Sequence, residues 1–166
     1  SVALESLTEK FPVPVLGVIE PGAKMAVKQT RNGRVGVIAT EATVESCAYQ
    51  KAINKIAPEV EVFAQACPLF VSLAEEGWSE HEATRLIAQE YLEPLVASGI
   101  DTLVLGCTHY PILRRTIQSI VGAGVRLLDS GECAAAEVEQ IISLDTEGLA
   151  ADSLTKESDI FCVTDS

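Results

Sequence analysis

Basic residues are scarce in this chain: 12 lysines and arginines stand against 24 aspartates and glutamates, for a net charge of −12. Such a balance repels phosphate backbones and anionic lipid, which argues against nucleic acid or membrane partners. A small anionic ligand is not barred, because a local array of backbone N–H groups can bind a carboxylate on an acidic protein. Long apolar runs are missing, and no stretch approaches a membrane span. The opening "SVALESLTEK" has neither the basic start nor the apolar core of a secretory signal. Paired cysteine spacing is absent too. Cys47, Cys67, Cys107, Cys133 and Cys162 are an odd, scattered set, which argues against a disulfide framework and for a reducing, cytoplasmic compartment. With two histidines and no close repeat of ligand residues, no metal site is expected.

What is present reads as a folded domain. The 166 residues are 48% apolar and 22% charged, enough to bury a core. Short runs rich in Val, Ile and Leu alternate with segments of helical period, the pattern of an α/β fold with an open parallel sheet flanked by helices. The expected strands are "VPVLGVI" (13–19), "RVGVIAT" (34–40), "VEVFAQA" (60–66), "DTLVLGC" (101–107), "VRLLDSG" (125–131) and "IFCVTDS" (160–166). Between them, Ala83, Leu86, Ile87, Tyr91 and Leu95 form one helical stripe, with a Ser79–Glu82 capping box at its start and Gly99 as its stop. A second helix is expected directly after Cys107, capped by Thr108, with Pro111 in its first turn, Gly122 at its end, and a stripe of Ile112, Leu113, Ile117, Ile120 and Val121. From Leu144 to Asp159 periodicity fades among acidic residues, Ser, Thr and Gly, so an exposed connection is expected there.

The chemistry concentrates in "LVLGCTHYPIL" (103–113), where a thiol, a hydroxyl and an imidazole sit side by side at a strand end. Ligands of open parallel sheets collect beyond the carboxyl ends of the strands. A helix N-terminus and a neighbouring imidazolium both stabilise a thiolate, so Cys107 has reasons to be reactive. The alternative is a small buried residue that happens to precede a helix. His109 alone is weak evidence. At a second strand end, Thr40 and Thr43 offer hydroxyls for a substrate carboxylate, unless one is simply a helix cap. Glu75, in "ACPLFVSLAEEG", either holds an ammonium group, orients His109, or is a solvated helix end. Cys67 and Cys133 read as packing residues, and Cys47 as lying within a helix where Gly or Ala would suit.

These residues resemble a known family. "LVLGCTHYPIL" is similar to the second cysteine motif of the glutamate racemases, within the aspartate/glutamate racemase superfamily. The likeness continues in order through "VPVLGVIEPGA", "VGVIATEATVESCAYQKAI", "ACPLFVSLAEEG", "LLDSGECAAAEV" and "FCVTDS". It implies interconversion of L- and D-glutamate without a cofactor, by two cysteines on opposite faces of the substrate, supplying D-glutamate for peptidoglycan. Carried over, Cys107 is the acid/base on the L-isomer face. Thr108 and His109 bind or polarise substrate, with His109 also tuning the thiol. Thr40 and Thr43 serve the carboxylate, and Glu75 assists the ammonium or His109. A histidine after the Cys-Thr pair favours the glutamate branch, with a non-catalytic amino-acid-binding lobe or another cysteine racemase, such as an aspartate racemase, as alternatives.

The departures matter as much. The family's Cys-Asn-Thr motif, with its first cysteine, is missing, as are its N-terminal Asp-Ser-Gly and Pro-Tyr-Gly motifs and a closing C-terminal helix. Asp129, Ser130 and Gly131 spell the former motif but match a later family segment. The expectation is therefore a fragment: residues 21–130 as a complete central lobe, and 1–20 and 131–166 as flanking pieces of a second lobe. Alone, such a chain should racemise feebly or not at all. Its exposed half-interface favours self-association, and a homodimer or other homo-oligomer is expected. Cys47 departs from a small, Gly-like family residue.

Overall fold

The computed structural model describes residues 4–12 and 15–146. A short helix α1 (Leu4–Lys10) and an irregular stretch precede the α/β unit. That unit runs α2 (Ile19–Gln29), β1 (Arg34–Ala39), α3 (Glu41–Glu45), α4 (Ala48–Ile56), β2 (Glu61–Ala66), α5 (Leu69–Glu75), α6 (Glu82–Ala97) and β3 (Thr102–Leu105). A 3₁₀ turn (Tyr110–Leu113), α7 (Arg114–Val121), β4 (Arg126–Asp129) and α8 (Ser130–Thr146) complete it. The four strands are parallel in the order β2-β1-β3-β4. Among the described residues no helix is long and apolar enough to cross a membrane.

Parallel strands covered on both faces read as continuous apolar runs, and β1 and β3 do. All of β3, and all of β1 beyond Arg34, is buried. Alternation of side chains divides the core in two. Ile38, Leu103, Leu105 and Leu127 meet α5, α6 and α7 through Phe70, Leu92 and Ile117. Val35, Val37, Val104 and Leu128 meet α2 and α4 through Ala23, Ala26, Tyr49 and Ile53. Helix α8 lies against α2, where Lys24 and Glu137 form an ion pair at 2.7 Å. Phe70 is wedged edge-on against Tyr91 and Tyr110, with ring centroids 5.4 Å apart in both pairs. Each such contact is worth about 0.5–1.5 kcal/mol beyond its buried area.

Several expectations are corrected. Residues 15–18 are irregular and Ile19 already belongs to α2, so "VPVLGVI" forms no strand over its described part. A run of strand formers needs a neighbouring ladder for its backbone polar groups, and the described sheet offers none there. The run at 160–166 lies outside the described residues, as do positions 1–3. Strands β3 and β4 stop at Leu105 and Asp129, because the chain leaves the ladder after Gly106 and Ser130 starts α8. Helix α8 runs on to Thr146, so the connection expected from Leu144 is helical at its start.

The cap of α6 is His81, not Ser79: its Nδ1 accepts a hydrogen bond from Ala83 N at 3.1 Å, while Glu82 pairs with Arg85. The stripe of α6 is rotated from the expected one. Thr84, Ala88, Leu92 and Leu95 are its buried residues and Leu86 is exposed, because the Thr84 hydroxyl is drawn inward to the Trp78 carbonyl at 2.7 Å. In the later segment Leu113, Ile117 and Val121 are buried as expected, whereas Ile112 is exposed. Gly99 and Gly122 end their helices with positive φ, as their positions predicted.

Candidate active site

The carboxyl ends of the four strands form one edge, and the ladder register decides what meets there. Ile38 pairs with Leu105 and Ala39 with Ala66. Continuing that register sets Thr40 level with Cys107 on one side and Cys67 on the other. Gly106 makes the approach possible. Its N–H donates to Ile38 O at 2.8 Å, and a Cβ on it would lie 3.0 Å from that carbonyl and 3.0 Å from the Tyr49 ring.

Beyond Gly106 the chain does not enter an α-helix at once, which corrects the expected cap. Residues 107–109 form a turn, the 3₁₀ segment follows, and α7 begins only at Arg114. Thr108 is exposed and makes no capping bond. The helix dipole invoked for Cys107 is accordingly remote, and the polar neighbour that the turn supplies is His109. The thiol is half-buried, with Sγ 3.8 Å from His109 Nδ1. On its other side the imidazole places Nε2 3.3 Å from Glu75 Oε1, at the end of α5. Glu75, His109 and Cys107 thus line up as carboxylate, imidazole and thiol, so of its possible roles Glu75 takes the contact with His109.

Tyr110 holds this turn in place, and sequence reasoning missed it. Its ring is fully buried, its N–H donates to Cys107 O at 3.2 Å, and its hydroxyl donates to Cys67 O at 2.9 Å, bracing the ends of β2 and β3 against each other. The only signal was a tyrosine within an apolar stripe. Burial pushes its pKa up. Tyr49, beneath Gly106, is also buried, and its hydroxyl finds no partner at hydrogen-bonding geometry among the described residues. Burial raises its pKa too, against a smaller opposing influence of the nearby Ser130 hydroxyl, which donates to Leu105 O.

Thr40 and Thr43 come together. Their hydroxyls are 3.1 Å apart, and Thr40, although it stands at the N-cap of α3, makes no side-chain capping bond. The pair leaves lone pairs and a hydroxyl proton for a ligand. Cys47 is not within a helix: it is exposed at the break between α3 and α4, in the left-handed region at φ 53°. That is a glycine-like backbone position. Cys67 and Cys133 are buried, as packing residues should be. Among the described residues no group of three or more His, Cys, Asp or Glu gathers to hold a metal ion.

This edge can exchange a proton through sulfur while hydroxyls hold a carboxylate. The Asp/Glu/Hydantoin racemase family matches residues 1–138. A glutamate racemase of Geobacter metallireducens is 56% identical over 140 residues, covering 84% of this chain and 52% of its own length. The crystal structure of glutamate racemase isoform RacE1 from Bacillus anthracis superposes with a TM-score of 0.82 at 38% identity, over 91% of this chain and 56% of that one. A Francisella tularensis glutamate racemase, solved in complex with D-glutamate, gives 0.76 at 36% identity, over 84% and 51%. The chain spans about half the length of the curated relatives it matches.

Proposed function

The chain belongs to the Asp/Glu/Hydantoin racemase family, and from that premise we propose that its whole protein interconverts L- and D-glutamate, with Cys107 as one of two acid/base thiols. The observation that carries this reading is the row of Glu75, His109 and Cys107, at the same sheet edge that carries the paired Thr40 and Thr43 hydroxyls. In the forward step a Cys107 thiolate takes the α-proton from the L-isomer. The electron pair left on carbon delocalises into the substrate carboxylate, which Thr40, Thr43 and Thr108 stabilise by hydrogen bonding. A second thiol, which the family resemblance assigns to a Cys-Asn-Thr motif missing from this sequence, delivers a proton to the opposite face. One proton leaves carbon, one returns, and no cofactor takes part.

With both ring nitrogens protonated, His109 donates from Nδ1 to the thiolate and from Nε2 to Glu75, which holds the ring in place. Within this reading residues 21–130 are one lobe, and 1–20 and 131–166 belong to a second. This chain alone is then inactive or nearly so, for want of the second sulfur. The product serves peptidoglycan synthesis in the cytoplasm, and the assembly is a homodimer or other homo-oligomer. The test is α-proton exchange by the full-length protein in deuterated water, followed by NMR with both isomers of glutamate and aspartate. Deuterium entering both glutamates, with aspartate untouched, supports the reading; exchange confined to aspartate overturns it.

A further inference from the structure

The opposite end of the sheet carries a charge pattern that the acid/base site does not use. The chain has six arginines. Arg34, Arg85 and Arg115 each pair with a glutamate. Among the described residues Arg31, Arg114 and Arg126 pair with none, and all three line the same cleft, of about 520 Å³, at the amino ends of β3 and β4. In a protein with twice as many acidic as basic side chains, three arginines left without a carboxylate in one concavity run against the average field.

The carboxylate in the cleft does not cancel them. Asp101 accepts from Thr30 Oγ1 at 2.7 Å, Arg31 N at 2.6 Å, Asn32 N at 2.8 Å and Thr102 Oγ1 at 3.0 Å, so its lone pairs are occupied and it reaches no guanidinium. Partial burial pushes its pKa up, but these hydrogen bonds outweigh burial and hold it below the usual range. Two of the arginines are fixed from behind: Arg114 donates to Leu127 O at 3.2 Å, and Arg126 to Gln29 Oε1. Each keeps further N–H donors free, since a guanidinium carries five. The loop closing the cleft adds backbone donors. Gln118 donates to Gly122 O and Val125 O and so shapes that loop, while the N–H groups of Ala123 and Gly124 have no acceptor among the described residues.

We propose that this cleft binds a small oxyanion bearing two or more negative charges, a phosphate ester, a pyrophosphate or a polycarboxylate, at a site separate from the Cys107 edge. Planar forks suit such groups bidentately, and the volume suits a ligand of metabolite size. The proposal does not depend on the racemase reading.

Isothermal titration of this chain with sodium pyrophosphate, and separately with citrate, at constant ionic strength provides the test. One saturable site is expected for at least one probe. Pyrophosphate alone identifies a phosphate ligand, and citrate alone a carboxylate ligand. Arg31→Gln is the decisive variant, because the Arg31 side chain makes no contact that the fold needs. It should weaken binding about tenfold, and Arg126→Gln by at least as much. Absence of saturable binding for both probes, or affinity unchanged in Arg31→Gln and Arg126→Gln, overturns the proposal.

Discussion

Cys67 and Cys107 each follow a parallel strand, one register step to either side of Thr40, yet they live in different chemical worlds. Cys67 keeps its backbone in the ladder, with its N–H on Ala39 O at 2.9 Å, and passes through Pro68 directly into α5. Its sulfur is sealed in, and burial pushes the thiol up to about 12. Cys107 comes after a glycine that lets the chain leave the sheet, and the turn that follows brings an imidazole to its sulfur. A strand-end position is therefore not enough to give a thiol a polar partner. The turn decides, through what it carries and how soon it departs from the ladder.

The largest test of that contrast is catalytic. In the full-length protein Cys107→Ser should lower α-proton exchange by about 10²–10⁴, the usual weight of a general acid/base, because a serine hydroxyl is a far weaker acid. Cys67→Ala should retain most of the rate. Equal losses in the two variants would erase the distinction.

A smaller effect separates the residues before the two cysteines. Gly106→Ala forces a methyl against Ile38 O and the Tyr49 ring, and should cost about 1–3 kcal/mol in urea unfolding. Ala66→Gly, at the matching place before Cys67, should cost about 0.5–1 kcal/mol through backbone entropy alone. If Gly106→Ala proves as stable as the wild type, the close approach at the Cys107 edge is wrong.

The least effect concerns alkaline stability. The Cys67 thiol is raised in the folded state, so its contribution is complete below the unfolded value of about 9 and is lost as pH climbs toward 12. At pH 10 the loss is about 1 kcal/mol. Tyr49 and Tyr110, also raised by burial, push the same way. Cys67→Ala should therefore flatten the fall in unfolding free energy between pH 9 and 11 without abolishing it. An unchanged slope would mean that the sulfur is not sealed.

Much of this was legible in the sequence. The four strands stand where Val, Ile and Leu runs predicted them, since a parallel sheet covered on both faces demands such runs. Cys107, His109 and the two threonines were picked out as candidates because chemistry collects at strand ends, and the structure sets His109 against Cys107 and Thr40 against Thr43. Other features depend on tertiary partners that no local pattern encodes. "VPVLGVI" has strand composition but no ladder beside it. Leu86 faces solvent because Thr84 turns inward to Trp78 O. Thr108 does not cap because Tyr110, anchored on Cys67 O, pulls the chain into a 3₁₀ turn first. The arginine cleft escaped notice because its three members come from a loop, a helix and a strand, and net charge averages such a cluster away.

The pairing of Val35 with Thr102 sets a clock on biogenesis. Strand β1 emerges from the ribosome 67 positions before the neighbour that completes its second edge. At about 5–20 residues per second, that edge stays open for about 3–13 s. Strand β2 can occupy the first edge sooner, and α2, α4, α5 and α6 are all made before β3, but the second edge of β1 stays unpaired until Thr102 to Leu105 are made. In this lobe the interval of greatest aggregation risk falls in the middle of synthesis, and it closes when the Cys107 strand docks.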